Sequence, residues 1–77
     1  MPQITVKLYA TFRQHIDGKP SVELVIEAGQ TVESVLEHLG VPAEETRILF
    51  VNNRHAELTD SLQGGETLGV FPAIGGG

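Results

Sequence analysis

The 77-residue chain contains no cysteine. That absence excludes disulfides, thiolate metal sites, iron–sulfur ligation and a cysteine nucleophile together, and it fits a reducing compartment. If the protein handles sulfur, it does so without a thiol of its own. Basic residues are also few. Five Lys and Arg against ten Asp and Glu give a net charge of −5, which argues against nucleic acid and anionic membranes as partners and makes a basic protein surface the natural complement. No apolar stretch approaches the roughly 20 residues that cross a bilayer, and the N-terminal residues lack a charged region followed by a long apolar run. These features together suggest a cytoplasmic protein.

What the chain does have is short, well-punctuated periodic segments. Ile4, Val6, Leu8 and Ala10 alternate with Thr5, Lys7, Tyr9 and Thr11, which predicts a half-buried strand running from Ile4 to Phe12. A short helical turn at Arg13 to Ile16 and turn chemistry at Asp17-Gly18-Lys19-Pro20 lead into a second strand with Val22, Leu24 and Ile26 on one face. Thr31 is a helix N-cap, with Glu33 near the positive end of the dipole. Val32, Val35, Leu36 and Leu39 then form one apolar stripe that ends at Gly40 and Pro42.

The run Ile48 to Val51, closed by Asn52-Asn53, reads as a third strand. A short strand around His55 to Glu57, a turn at Thr59 to Leu62, and Gly64-Gly65 before a last strand at Glu66 to Phe71 complete the order. This order predicts an α+β fold with one helix across a small sheet, the first and last strands pairing in parallel at its middle.

Several chemical signals point to nothing catalytic. His15, His38 and His55 are far apart in sequence, with no spacing that suggests a metal site. Asp60 and Ser61 read as a turn cap rather than part of a hydrolytic set. Gly64-Gly65 is not a phosphate loop, because no Lys-Ser/Thr follows at the required spacing.

The C-terminal residues are the exception. Val70-Phe71-Pro72-Ala73-Ile74 precedes Gly75, Gly76 and Gly77. Pro72 has a fixed φ and no N–H, and so marks the change from strand to tail. From Phe71 to Gly77 an extended chain reaches roughly 23 to 25 Å. Glycines without Cβ let a partner's catalytic groups approach the backbone closely. The expected organisation is a domain over residues 1–71 and a flexible tail over 72–77.

Taken over the whole chain, these residues resemble the ubiquitin-like β-grasp sulfur carriers, and most resemble the small subunit of molybdopterin synthase. The similarity runs through Ile4-Thr5-Val6-Lys7-Leu8-Tyr9-Ala10, the helix from Thr31 to Leu39, Phe50-Val51-Asn52-Asn53, Leu62-Gln63-Gly64-Gly65-Glu66 and the C-terminal block. That family ends in a Gly-Gly pair after a Phe-Pro-Pro or similar segment, which maps onto Gly76 and Gly77 after Phe71-Pro72. Ala73 stands where a second proline is frequent, and Gly75 where a residue with a side chain is usual. The thiamine-pathway carriers share the fold and the ending, but Phe71-Pro72 leans toward the molybdopterin branch.

The resemblance implies a β-grasp fold with a mixed sheet of four to five strands and one main helix packed across one face. It implies no bound cofactor and no catalytic residue apart from the Gly77 carboxylate itself. A ubiquitin-activating-type adenylating enzyme would consume ATP to activate that carboxylate, and a sulfur donor would convert it to a thiocarboxylate. The molybdopterin synthase large subunit would then use the sulfur. Carriage of sulfur for thiamine thiazole or another product, and protein modification through isopeptides from Gly77, are the alternatives.

Strand alternation turns Tyr9, Val25 and Phe71 away from the helix and requires one of Leu49 and Phe50 to face out as well; the resemblance to ubiquitin-like strands implies Phe50, which predicts an exposed apolar patch near the tail. The expected partner-binding set is therefore Tyr9, Val25, Phe50 and Phe71, followed by Pro72, Ala73, Ile74, Gly75 and Gly76.

Overall fold

The computed structural model describes residues 1–72. Five strands form one mixed sheet in the order β2-β1-β7-β4-β5: β1 (Gln3–Leu8), β2 (Ser21–Val25), β4 (Thr46–Val51), β5 (Arg54–His55) and β7 (Thr67–Pro72). β1 and β7 pair in parallel at the centre, while the β1–β2, β4–β7 and β4–β5 pairs are antiparallel. β3 (Gln30–Thr31) and β6 (Ser61–Leu62) make a separate two-stranded pair. This is the ubiquitin-like β-grasp arrangement.

Helix α1 (Val32–Leu39) forms where the caps predict it. The Thr31 hydroxyl accepts the Ser34 N–H at 3.2 Å. At the other end Gly40 takes a left-handed φ of 79°, donating to the Glu37 carbonyl while Val41 N–H reaches the Leu36 carbonyl at 2.9 Å. This paired closure requires a residue tolerant of positive φ, hence glycine. Val32, Val35 and Leu36 are buried with Ile4, Val6, Leu8, Leu49, Leu68 and Val70 in one core, with Leu39 half-buried against it. No charged or polar residue is buried among those described.

Three expectations need correction. The first strand does not run to Phe12; it ends at Leu8, and a 3-10 helix occupies Ala10–Ile16. Ala10 is exposed with φ of 54°, so the alternation that continues in sequence breaks in space, and Phe12 reaches the core from the helix instead. The turn expected at Thr59 to Leu62 contains strand β6, held to β3 by a two-residue pairing too short to leave a periodic signal.

Pro72 belongs to β7, opposite Thr46, and is buried. Glu66 and Val70 carbonyls accept from Thr5 and Tyr9 N–H on the β1 side. Pro72, two residues further, therefore also turns its nitrogen toward β1, where the Tyr9 carbonyl already accepts the Phe12 N–H at 3.1 Å. The missing donor thus leaves no acceptor unpaired.

The β4–β5 hairpin closes through Asn52 and Asn53, with φ of 52° and 67°, as a two-residue turn with both central φ values positive requires. Asn52 also fastens this tip to the start of β7, its side-chain oxygen accepting the Thr67 N–H at 3.0 Å. Asp60 caps its own turn, accepting the Glu57 N–H at 3.0 Å.

Before β7, the Glu66 carboxylate accepts the N–H groups of Gln63 at 2.8 Å and Gly64 at 2.7 Å. Desolvation pushes this carboxyl upward, but hydrogen bonds from the backbone of Gln63, Gly64 and Glu66 itself together outweigh it and hold it below the usual range. The folded carboxyl titrates below the unfolded one, so its contribution is full above the unfolded pKa and is lost as pH falls through the folded value. Glu66→Gln is expected to lower the unfolding free energy by on the order of 1 kcal/mol at neutral pH. In urea titrations the difference from wild type should shrink as pH falls through that range; a difference independent of pH would contradict the assignment.

Candidate functional site

The face of the sheet turned away from α1 is organised by the central strand pair. In register, Thr5 lies beside Thr67 and Lys7 beside Gly69, so Tyr9 comes next to Phe71. Their rings stack at 4.0 Å between centroids and 4° between planes. On the other side of β7, Phe50 packs edge-on to Phe71 at 6.0 Å and 84°. Ile48, Leu49 and Phe50 run in unbroken register with Phe71, Val70 and Gly69, so Leu49 turns inward and Phe50 outward, and a bulge between Thr46 and Ile48 shifts only the strand end, setting Thr46 opposite Pro72. The Arg13 Nε donates to the Leu8 carbonyl at 3.1 Å, with its guanidinium carbon 6.0 Å from the Tyr9 ring centroid.

Three of the four aromatic and apolar residues expected in the patch therefore converge, Tyr9, Phe50 and Phe71, but each is half-buried by the others and the sheet rather than exposed. Val25 does not join them. It shares the outer face and is 49% exposed, but it pairs with Gln3 on edge strand β2. That places it six residues along β1 from the Tyr9 end, about 20 Å at strand spacing. Pro72 is buried at the end of β7, while Ala73, Ile74, Gly75, Gly76 and Gly77 lie outside the described residues.

Around the aromatic trio lies a groove of about 450 Å³, lined also by Lys7, Asn52, Asn53, Thr67 and Gly69. These five were absent from the expected site. Alternation already turns Lys7 outward, and a glycine inside a strand was the overlooked signal for Gly69. Among the described residues no cluster of His, Cys, Asp or Glu is arranged to hold a metal. Nor does any described helix have the length and apolarity to cross a membrane.

The family model described as ThiS family matches residues 6–77. The chain belongs to the ThiS family. That family is one of ubiquitin-like sulfur carriers. No curated protein matches the chain.

Solved structures share the fold at low identity. Small archaeal modifier protein 1 of H. volcanii is 19% identical with a TM-score of 0.77, the match covering 96% of this chain and 100% of that one. A protein provisionally named molybdopterin converting factor subunit 1, from Pyrococcus furiosus, is 24% identical with a TM-score of 0.75, again covering 96% and 100%. A chain from the complex of subunits 1 and 2 of the molybdopterin-converting factor of Helicobacter pylori is 13% identical with a TM-score of 0.63, covering 97% and 99%. The first of these is a modifier and the last is in complex with a second subunit.

The Tyr9–Phe71 stack ties the last described strand to the first. A double-mutant cycle with Tyr9→Ala and Phe71→Ala should return a coupling of about 0.5 to 1.5 kcal/mol in chemical denaturation. Additive single effects would show that the stacked geometry contributes nothing beyond burial.

Proposed function

We propose that this ThiS-family chain carries sulfur on its Gly77 carboxylate and delivers it for molybdopterin dithiolene synthesis as the small subunit of a two-subunit synthase. The observation that carries the reading is that the family match extends through residue 77, with the half-buried aromatic groove on the strand immediately before the last five residues. Phe71-Pro72 favours the molybdopterin branch.

A carboxylate resists nucleophiles because it is negatively charged and oxide is a poor leaving group. Attack of the Gly77 carboxylate on the α-phosphate of ATP, on an adenylating enzyme, would release pyrophosphate and form an acyl adenylate. Hydrosulfide from a sulfur donor would then displace AMP, leaving the thiocarboxylate and one proton. The chain itself would supply no acid or base, bind no cofactor, and act as co-substrate.

Its contribution would be positioning. Ordering three glycines in a partner's channel costs roughly 3 to 6 kcal/mol, which docked apolar side chains offset at about 1.5 to 3 kcal/mol each when fully buried. Phe71 is already held against Tyr9 before any partner arrives, so less of its rotamer freedom remains to be lost on binding.

Incubated with a ubiquitin-activating-type adenylating enzyme from its host, ATP and sulfide, the full chain should gain the mass difference between sulfur and oxygen at Gly77. Deleting Gly77 should abolish the gain, and adding the large subunit with its pterin substrate should return the carboxylate mass. An unchanged reaction after the deletion would sink the proposal. Lysine isopeptides through Gly77, with no thiocarboxylate found, would instead indicate a modifier like the archaeal relative.

A further inference from the structure

Gly69 stands in the interior of the central strand, between Lys7 on β1 and Phe50 on β4. Glycine weakens a strand interior, since it loses more conformational freedom on folding and packs no side chain. The backbone here does not require it. Unlike Gly18, Gly29, Gly40, Gly64 and Gly65, Gly69 does not have a positive φ. A Cβ at this position would lie 3.7 Å from Tyr9 Cε2 and 3.9 Å from the Phe50 Cβ, which is ordinary van der Waals contact. Alanine would fit. What glycine provides is depth: it forms the floor of the groove between Tyr9, Phe50 and Phe71. At about 450 Å³ the groove falls within the range of roughly 300 to 1,000 Å³ that holds small ligands.

The rim has a definite charge. Among the described residues Lys7 is the one charged residue lining the groove. Arg13 adds a second cation beside Tyr9. Arg13 itself is not part of the lining, but in a chain with five basic and ten acidic residues a groove whose described lining carries one positive charge and no negative one runs against the overall balance.

We infer that the groove over Gly69 receives one large apolar side chain of a partner protein, presented beside a carboxylate that meets Lys7. The inference rests on the reading of this face as the docking side of a sulfur carrier, and it reverses the expectation that the partner offers a basic surface at this contact.

The test uses 3-phenylpropionate, a phenyl ring with a neighbouring carboxylate, titrated into the full ¹⁵N-labelled chain at low salt. Amide shifts should concentrate at Lys7, Phe50 and Thr67 to Phe71, and phenethylamine, with an ammonium on the same frame, should bind more weakly. Lys7→Gln should weaken phenylpropionate roughly two- to fivefold, as expected for an exposed ion pair. Gly69→Leu should abolish the shifts while circular dichroism shows the fold retained. Lys7→Gln leaves the core untouched and keeps the test valid if the leucine variant does not fold.

Absent binding, shifts centred elsewhere, or no preference for the carboxylate over the ammonium would overturn the inference. Thiocarboxylation of Gly77 is measured on the same preparation. A chain that accepts sulfur but ignores the probe loses the groove and keeps the carrier reading; the opposite result separates them the other way.

Discussion

The parallel pairing of β1 with β7 is the constraint on which the rest depends. It brings the first and last strands together at the centre of the sheet. Each contributes fully buried residues to one face: Val6 and Leu8 from β1, Leu68 and Val70 from β7. The same register sets Tyr9 beside Phe71 on the other face. Because β7 is central, its last residue, Pro72, lies in the middle of the sheet rather than at an edge. The aromatic groove therefore sits on the strand that immediately precedes residues 73–77, and Phe71 cannot be displaced without disturbing the core pair.

Much of this arrangement is legible in sequence where a local rule acts alone. Alternation from Ile4 to Leu8 gives the correct inner face, and Thr31 and Gly40 bracket the helix because each satisfies orphan backbone groups at one end. Legibility ends where geometry across strands decides. Ala10 and Phe12 continue the alternating pattern, yet the positive φ at Ala10 turns the chain into a 3-10 helix. For Val25, alternation fixes the face but not the position along it; pairing with Gln3 carries it away from Tyr9. Pro72 reads as the end of a strand by its lost donor, but its nitrogen turns toward a carbonyl already occupied by Phe12. The two-residue strands β3 and β6 exist only through each other.

Net charge illustrates the same division between sum and place. A total of −5 describes the whole surface, whereas a docking side chain responds to groups within about 8 Å at physiological ionic strength. In the Gly69 groove the charged group among the described lining residues is Lys7. A carrier benefits from such a separation: acidic residues elsewhere keep a small domain soluble, while the contact face holds its own sign. On the proposed reading the domain works as a shaped handle, and the chemistry belongs to a backbone carboxylate activated by others.

The most direct measurement of that claim is the intact mass of the full chain isolated from its native host under conditions that preserve thioacids, with fragmentation to locate any difference. The account predicts a population heavier by the difference between sulfur and oxygen, localised to Gly77. A chain bearing only an unmodified carboxylate when sulfur transfer is blocked downstream, or carrying its modification at another residue, would contradict it.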